Sequence, residues 1–242
     1  MDPRHLEELK ALEEHYWWHV SKRALVTELL DAYAPRTGRL VEGGVGGGGN
    51  LRHFASLGYR VTGLEVMPEA VRHCRAQGLH DVHEHDLEKP WPVDESASVV
   101  VLLDVLEHAD HPVTVLENAN AVLGPEGVVV LTVPAMPALY GPWDEVLGHR
   151  RRYTRSMLRA DATAAGFVPV FLSYWNSFTF PAAVGIRAWE RRSGGARSSE
   201  FPRVSRPVNE VLKAMATVER RLMDLGPIPV GLSLCAVLRR AP

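Results

Sequence analysis

The chain has 242 residues, of which 46% are apolar and 23% charged, a balance that excludes a disordered or fibrous polymer and fits one folded domain of ordinary size. No stretch approaches the ~20 apolar residues of a membrane-spanning helix. The start, Met1-Asp2-Pro3-Arg4-His5-Leu6-Glu7-Glu8, lacks the apolar core of a signal peptide, so a cytosolic location is expected. Net charge is only -2, but His149 to Arg221 holds fourteen Lys and Arg against five Asp and Glu, an excess of +9 that leaves -11 on the rest. Either that basic side faces an anionic partner or its arginines solvate a helical surface.

Residues 4–33 carry apolar side chains at Leu6, Leu9, Leu12, Tyr16, Val20, Leu25, Leu29 and Leu30, which predicts an amphipathic helical arm in two pieces. From Arg39 a short apolar run ends in glycines. A helical pattern follows over Leu51 to Leu57, then a strand over Tyr59 to Glu65 and a helix opened by Pro68. Further strands are expected at Val82 to His85, Ala97 to Leu103 and Gly127 to Val133, with helices near Val71 to Gln77 and Pro112 to Leu123. Alternation of this kind predicts an α/β fold, a doubly wound parallel sheet covered on both faces. A Pro-, Gly- and Trp-containing loop then leads to a helix at Ser156 to Ala165 and a strand at Phe167 to Tyr174. The segment from Asn176 to Pro229 breaks the alternation with a Gly/Ser-rich joint at Ser193 to Ser199 and a charged helix from Pro207 to Leu225, before a last strand-like run at Val230 to Leu238. The expected layout is an arm over 1–34, an α/β core over 35–175, an inserted helical cap over 176–229, and the last core strand within 230–242.

Leu40-Val41-Glu42-Gly43-Gly44-Val45-Gly46-Gly47-Gly48-Gly49-Asn50 is the most informative stretch, with six glycines in seven residues. Inside a helix each would cost about 1 kcal/mol, so the run belongs in a strand-to-helix turn where backbone approaches a ligand closely. Glu65 follows Gly44 by twenty-one residues, at the end of the second strand, where a carboxylate can accept both ribose hydroxyls of a nucleoside. Glycine spacing alone does not choose the nucleoside: Gly44-x-Gly46-x-x-Gly49 satisfies the dinucleotide fingerprint and Gly44-x-Gly46-x-Gly48 a different one.

Other residues break the tie. Glu42 before the glycines, Glu65 after strand two, His85-Asp86-Leu87 after strand three, Leu103-Asp104-Val105-Leu106-Glu107-His108 after strand four, and a sheet ending in an antiparallel hairpin resemble the class I S-adenosylmethionine-dependent methyltransferases. No tyrosine has a lysine four residues later, the pair that short-chain dehydrogenases use for proton transfer. The resemblance implies a mostly parallel seven-stranded Rossmann-like sheet and S-adenosylmethionine as cofactor, with S-adenosylhomocysteine as product. It places backbone of Gly44, Gly46 and Gly48 against the cofactor, Glu65 on the ribose hydroxyls, Asp86 and Leu87 at the adenine, and Asp104 at the methionine end. Where members usually have Asp-aliphatic-Gly-Cys-Gly, this chain has Glu42-Gly43-Gly44-Val45-Gly46, which leaves an ammonium contact from Glu42 open. His15-Tyr16-Trp17-Trp18-His19-x-x-Lys22-Arg23 and Gly148-His149-Arg150-Arg151-Arg152-Tyr153-Thr154 are similar to segments of the type 11 and 12 small-molecule subgroup.

Methyl transfer from a sulfonium is an in-line displacement, and aligning the partners in a dry pocket supplies most of the rate. A base is needed only if the acceptor loses a proton. Candidates are His149, Tyr153, Glu107 and His108, with His15 behind them. Lys22, Arg23, Arg150 and Arg152 are expected to form a cationic entrance, while Tyr16, Trp17 and Tyr140 supply apolar wall. An anionic small molecule follows as acceptor, with a phosphorylated isoprenoid or lipid-linked intermediate as the sharper form. Magnesium is expected only with a diphosphate acceptor. Cys74 and Cys235 stand far apart at no paired spacing, and His15/His19 and His80/His83/His85 lack a third ligand at a telling position, so no protein-held metal is expected. The competing readings are a nucleic-acid methyltransferase, although no RNA-binding module is recognisable, and a non-catalytic adenosyl-binding protein.

Overall fold

A computed structural model describes residues 12–93, 96–193 and 204–242. Helix α1 (Trp17–Tyr33) leads into β1 (Arg39–Gly43), α2 (Gly49–Ser56), β2 (Arg60–Glu65), α3 (Pro68–Ala76), β3 (Val82–Glu84) and β4 (Ala97–Leu103). Then come α4 (Pro112–Val122), β5 (Leu123–Pro134), a single 3-10 turn, α5 (Pro142–Leu147), α6 (Arg155–Ala164) and β6 (Phe167–Trp175). Two more helices, α7 (Phe180–Ser193) and α8 (Arg206–Met223), precede β7 (Ser233–Arg240). Proline sits in the first turn of α3, α4, α5 and α8, where its missing N–H has no partner to lose.

The seven strands form one sheet in the order β3-β2-β1-β4-β5-β7-β6. All pairings from β3 to β5 are parallel, and β7 runs antiparallel between β5 and β6, giving the hairpin expected at that edge. Alternate residues of the central strands feed two cores. Val100, Leu102, Val129, Leu131, Leu234 and Ala236 pack on one face, under Leu116 of α4 and Leu158 of α6. Val99, Val101, Val128, Val130, Cys235 and Val237 pack on the other, under Leu25 and Leu29 of α1, Leu51 and Phe54 of α2, and Val71 and Cys74 of α3. Residues buried on both sides of a sheet explain why these strands read as unbroken Val/Leu runs. Each fully buried Val or Leu contributes about 1.5–3 kcal/mol.

The observed elements differ from the expected ones mainly at their ends. The strand expected from Gly127 begins at Leu123, because α4 runs into it without a loop. The strand expected from Val230 begins at Ser233; residues 230–232 still turn, with Leu232 N donating to Asn176 O at 3.4 Å. The first piece of the arm and most of the Gly/Ser joint lie outside the described residues.

The helices between β6 and β7 do not stand apart from the arm. Asn209 of α8 accepts from Trp17 N through Oδ1 at 2.9 Å and donates through Nδ2 to His15 O at 2.9 Å. Glu219 accepts from Asn176 N at 2.7 Å and Ser177 N at 2.6 Å, which anchors α8 to the end of β6. Among the described residues no helix is long and apolar enough to cross a membrane. The strand order reverses between β1 and β4, so the loops leaving those two strands diverge and open a crevice at their carboxyl ends.

Candidate functional site

The glycine run leaves β1 as a turn that other residues could not make. Gly44 has φ +77 and Gly46 φ +56, both left-handed, and a Cβ at Gly44 would meet Val105 Cγ2 at 2.7 Å. This bends the chain close to the end of β2. There Glu65 accepts from Gly46 N through Oε2 at 3.0 Å and from Met67 N through Oε1 at 2.9 Å. Two backbone amides thus fix a carboxylate that is almost fully buried yet lines a cavity. Asp86, exposed at the rim, and Leu87, packed on the core, line the same wall. Gly44, Gly46 and Glu65 meet there as the sequence predicted. Gly48 has φ +85 and caps α2, outside the cavity lining.

Glu42 does not reach the cavity. It is 1% exposed, Oε2 has no hydrogen-bond partner, and burial pushes its carboxyl up to about 8 despite a hydrogen bond from the Asn50 side chain. Glu42, expected at the cofactor, thus stands outside the residues that line the cavity. Its neighbour in the site is instead Glu13, whose Oε2 accepts from Gly49 N at 3.1 Å where α2 begins. No spacing rule marks Glu13, because an arm residue reaches the glycine turn only through the tertiary fold.

At the end of β4, Asp104 has φ +57, a conformation that costs Asp less than most residues but still strains the backbone. Its Oδ2 accepts from Lys22 Nζ at 2.7 Å and its Oδ1 from Thr132 Oγ1 at 3.0 Å. Burial favours the neutral acid, yet the Lys22 ammonium and both hydrogen bonds hold Asp104 below the usual carboxylate range. Lys22 is thus committed to Asp104. Arg23 is committed to the donor end, donating to Glu13 O at 3.1 Å and Asn50 Oδ1 at 3.3 Å. Both line the cavity, each already held by a partner within the protein.

The far end of the cavity is built by stapling the loop after β5 onto the loop after β4. Arg150 N donates to Glu107 O at 2.8 Å, Arg150 Nε to His108 O at 2.9 Å and Arg151 Nη2 to Ala109 O at 2.8 Å. Arg150 also pairs with exposed Asp110 at 2.7 Å and does not line the cavity. Its expected acceptor contact is corrected to that of a loop staple. Tyr140 likewise supports the loop from outside the lining, its hydroxyl donating to His149 O at 2.7 Å. Tyr153 is fully buried with its hydroxyl 3.4 Å from Leu106 O, and burial raises its phenol, so it is core rather than a proton acceptor facing substrate.

Three other candidates do converge. Glu107 is 0% exposed with no hydrogen-bond partner on either oxygen, while lining the cavity. Burial, followed by the charge of Asp104, raises its carboxyl well above the usual range. His149 Nε2 lies 3.9 Å from Glu107 Oε1. His149 Nδ1 lies 2.9 Å from Oδ1 of Asp144, which is fully buried and also accepts from Arg152 Nε at 2.7 Å, Gly141 N at 3.0 Å and Arg187 Nη2 at 3.4 Å. Burial opposes the charge on Asp144, but His149 and Arg152 hold it below its ordinary value. The His108 ring crosses that of His149 edge-on at 4.9 Å between centroids, and its Nδ1 lies 3.2 Å from Gly148 O. Burial, then His149, lowers His108 to about 4. Asp144 and Arg187 were not among the candidates: one lies on a short loop helix and the other in α7, and only the fold brings them together.

One continuous cavity of about 720 Å³ joins these ends, within the usual range for a small-molecule site. Its roof is Tyr16, Trp17 and Trp18 of the arm with Thr179, Ala182, Ala183 and Ile186 of α7 and its approach; Leu139, Trp143 and Leu147 close the side. Trp17 meets Phe178 edge-on at 5.8 Å and Trp18 stacks on Trp175 at 4.8 Å.

An open α/β sheet whose glycine turn and strand-end carboxylate border a crevice at the switch point defines a protein that binds a nucleoside cofactor there. The comparisons narrow the class. Residues 16–171 match the family described as a methyltransferase domain. The ubiquinone biosynthesis O-methyltransferase of Paraburkholderia xenovorans is 26% identical over 148 residues, which cover 53% of this chain and 61% of that protein. A Haloferax volcanii protein solved with the Trm112 methyltransferase activator superposes with a TM-score of 0.64 at 21% identity, covering 99% of this chain and 95% of that one. A TehB-like methyltransferase from Corynebacterium glutamicum does so at 0.60 and 16%, covering 99% and 100%. The chain belongs to the methyltransferase-domain family, for which S-adenosylmethionine is the implied cofactor. The site fits that cofactor: the turn at Gly44 and Gly46 keeps Cβ atoms out of the crevice, and the anchored Glu65 carboxylate faces it.

Proposed function

We propose that the enzyme methylates a hydroxyl oxygen of a small molecule with an apolar body. The observation that carries this reading is a single cavity whose roof is aromatic and aliphatic and whose floor holds basic atoms without hydrogen-bond partners, those of Glu107. Of the arginines that line it, Arg152 and Arg187 both spend their charge on buried Asp144 and Arg23 donates to Glu13 O and Asn50 Oδ1, so a neutral reactive group suits the floor better than a phosphate. The lipid-like or isoprenoid body is the part of the sequence expectation that the roof supports. The similarity to an O-methyltransferase of ubiquinone biosynthesis is in keeping with it. A cavity of about 720 Å³ roofed by two helices favours a small acceptor over a nucleic acid.

In this reading Glu65 holds the ribose hydroxyls of S-adenosylmethionine, Asp86 and Leu87 flank its adenine, and Asp104 borders the methionine end. Bound there, the cofactor supplies an activated methyl group. The roof seats the acceptor's body and excludes water, so that its hydroxyl meets the corner formed by Glu107, His108 and His149, where the oxygen's proton must leave. His149 is oriented for this by Asp144. Purified protein incubated with methyl-labelled donor should label hydroxylated aromatics bearing an isoprenoid chain and not prenyl diphosphates or RNA. Label confined to diphosphates or RNA would refute the assignment.

A further inference from the structure

The floor of the cavity has the composition of a cation site rather than of an acid–base pair alone. One ligand atom each from Glu107, His108 and His149 lies within 4.8 Å of the others. A carbonyl only accepts hydrogen bonds, so the contact of His108 Nδ1 with Gly148 O puts the ring proton on Nδ1 and leaves Nε2 as a lone pair. The contact of His149 Nδ1 with the Asp144 carboxylate does the same for the second ring. Metal-binding histidines are held in this way, the far nitrogen donating to a carbonyl or a buried carboxylate. Beside the paired rings stands Glu107, fully buried and without a hydrogen-bond partner on either oxygen, a costly arrangement unless something occupies the space next to it.

We propose that Glu107, His108 and His149 hold one divalent first-row transition cation, of which Zn²⁺ is the type, through one carboxylate oxygen and the two Nε2 atoms. Ligand atoms about 2.1 Å from a tetrahedral ion stand about 3.4 Å apart. The 3.9 Å between His149 Nε2 and Glu107 Oε1 therefore needs to close by about half an ångström. Two imidazoles and one carboxylate leave a coordination position open toward the cavity, as catalytic rather than structural sites do. The cation would neutralise Glu107 and, touching the acceptor oxygen, favour loss of its proton to water. That role rests on the hydroxyl reading above; the site itself does not. The expectation of no protein-held metal rested on sequence spacing, which cannot show that His149, forty-one residues beyond His108, closes the set.

The test uses the whole chain, stripped with chelator and titrated with Co²⁺ followed by its visible absorption, then with Zn²⁺ in competition. Wild-type protein should bind one equivalent. Glu107→Gln and His149→Ala should abolish the saturable signal, and Asp144→Asn should weaken it by about 10–100-fold. His83→Ala and His85→Ala, at half-buried positions outside the cavity lining, should leave it unchanged. No saturable binding, or equal affinity in folded Glu107→Gln and His108→Ala proteins, overturns the site. Undiminished hydroxyl methylation by protein that binds no metal overturns the site and spares the proposed function. One bound equivalent with no label in any hydroxylated acceptor does the reverse.

Discussion

Glu65→Ala tests the donor end most directly. The carboxylate is held by Gly46 N at 3.0 Å and Met67 N at 2.9 Å, so its orientation toward the cavity is set before any ligand arrives. A hydrogen bond to a charged group contributes about 1.5–3 kcal/mol, and water admitted by the smaller side chain offsets part of the loss of two. A net 1.5–3 kcal/mol corresponds to a rise of roughly 10- to 150-fold in Kd for S-adenosylhomocysteine, measured by calorimetry. The two amides lose their acceptor as well, at about 1 kcal/mol each where solvent does not replace it, which should appear as a lower urea midpoint. Glu65→Gln keeps one accepting oxygen and should fall between the two. A folded Glu65→Ala protein whose Kd lies within about twofold of wild type would refute the placement of the ribose there.

Three more outcomes follow from the geometry. Burial raises Glu42 from 4.5 to about 8, so the folded state holds a proton that the unfolded state releases; the resulting stability is present at low pH and is lost as pH rises through about 8. Glu42→Gln should flatten that fall, gaining on the order of 3 kcal/mol over wild type by about pH 9 in urea titrations, with donor affinity unchanged. An unaltered pH profile would place the titration elsewhere. Arg150→Ala should lower the melting temperature by a few degrees, reflecting about 1 kcal/mol for the bond to His108 O, and leave acceptor KM unchanged; a raised KM in a normally melting protein would return it to the acceptor. Ala183→Trp, filling the roof, should raise acceptor KM at least about tenfold, the equivalent of ~1.4 kcal/mol, while donor Kd holds; loss of both would show that the two ends are not separable.

The donor half was legible because its chemistry is local. Left-handed turns demand glycine, and a carboxylate twenty-one residues on sits at the next strand end by the pitch of a β-α-β unit. Strand identities were legible for a similar reason, since burial on both faces writes continuous Val/Leu runs. The position of β7 between β5 and β6 required the antiparallel resemblance, because nothing in Leu234 to Leu238 names its neighbours. The acceptor half is non-local. Arg150, Arg151 and Arg152 are consecutive, yet two staple a loop and one turns to Asp144; which does which depends on backbone direction in an irregular segment. Asp144 carried no signal beyond being one carboxylate in Trp143-Asp144-Glu145, and the burial of Glu42 was not legible because an acidic residue before glycines reads the same whether it lines a cavity or is buried outside its lining.

The clasp that Asn209 makes with His15 and Trp17 joins the two ends of the chain over the cavity, whereas Gly44, Gly46 and Glu65 lie within a stretch of twenty-two residues. Inheritance can act on these parts separately. Exchange of the first helix together with the last two would hand the same methyl-donor machinery a new clientele, and swapping either alone would leave its counterpart without a mate.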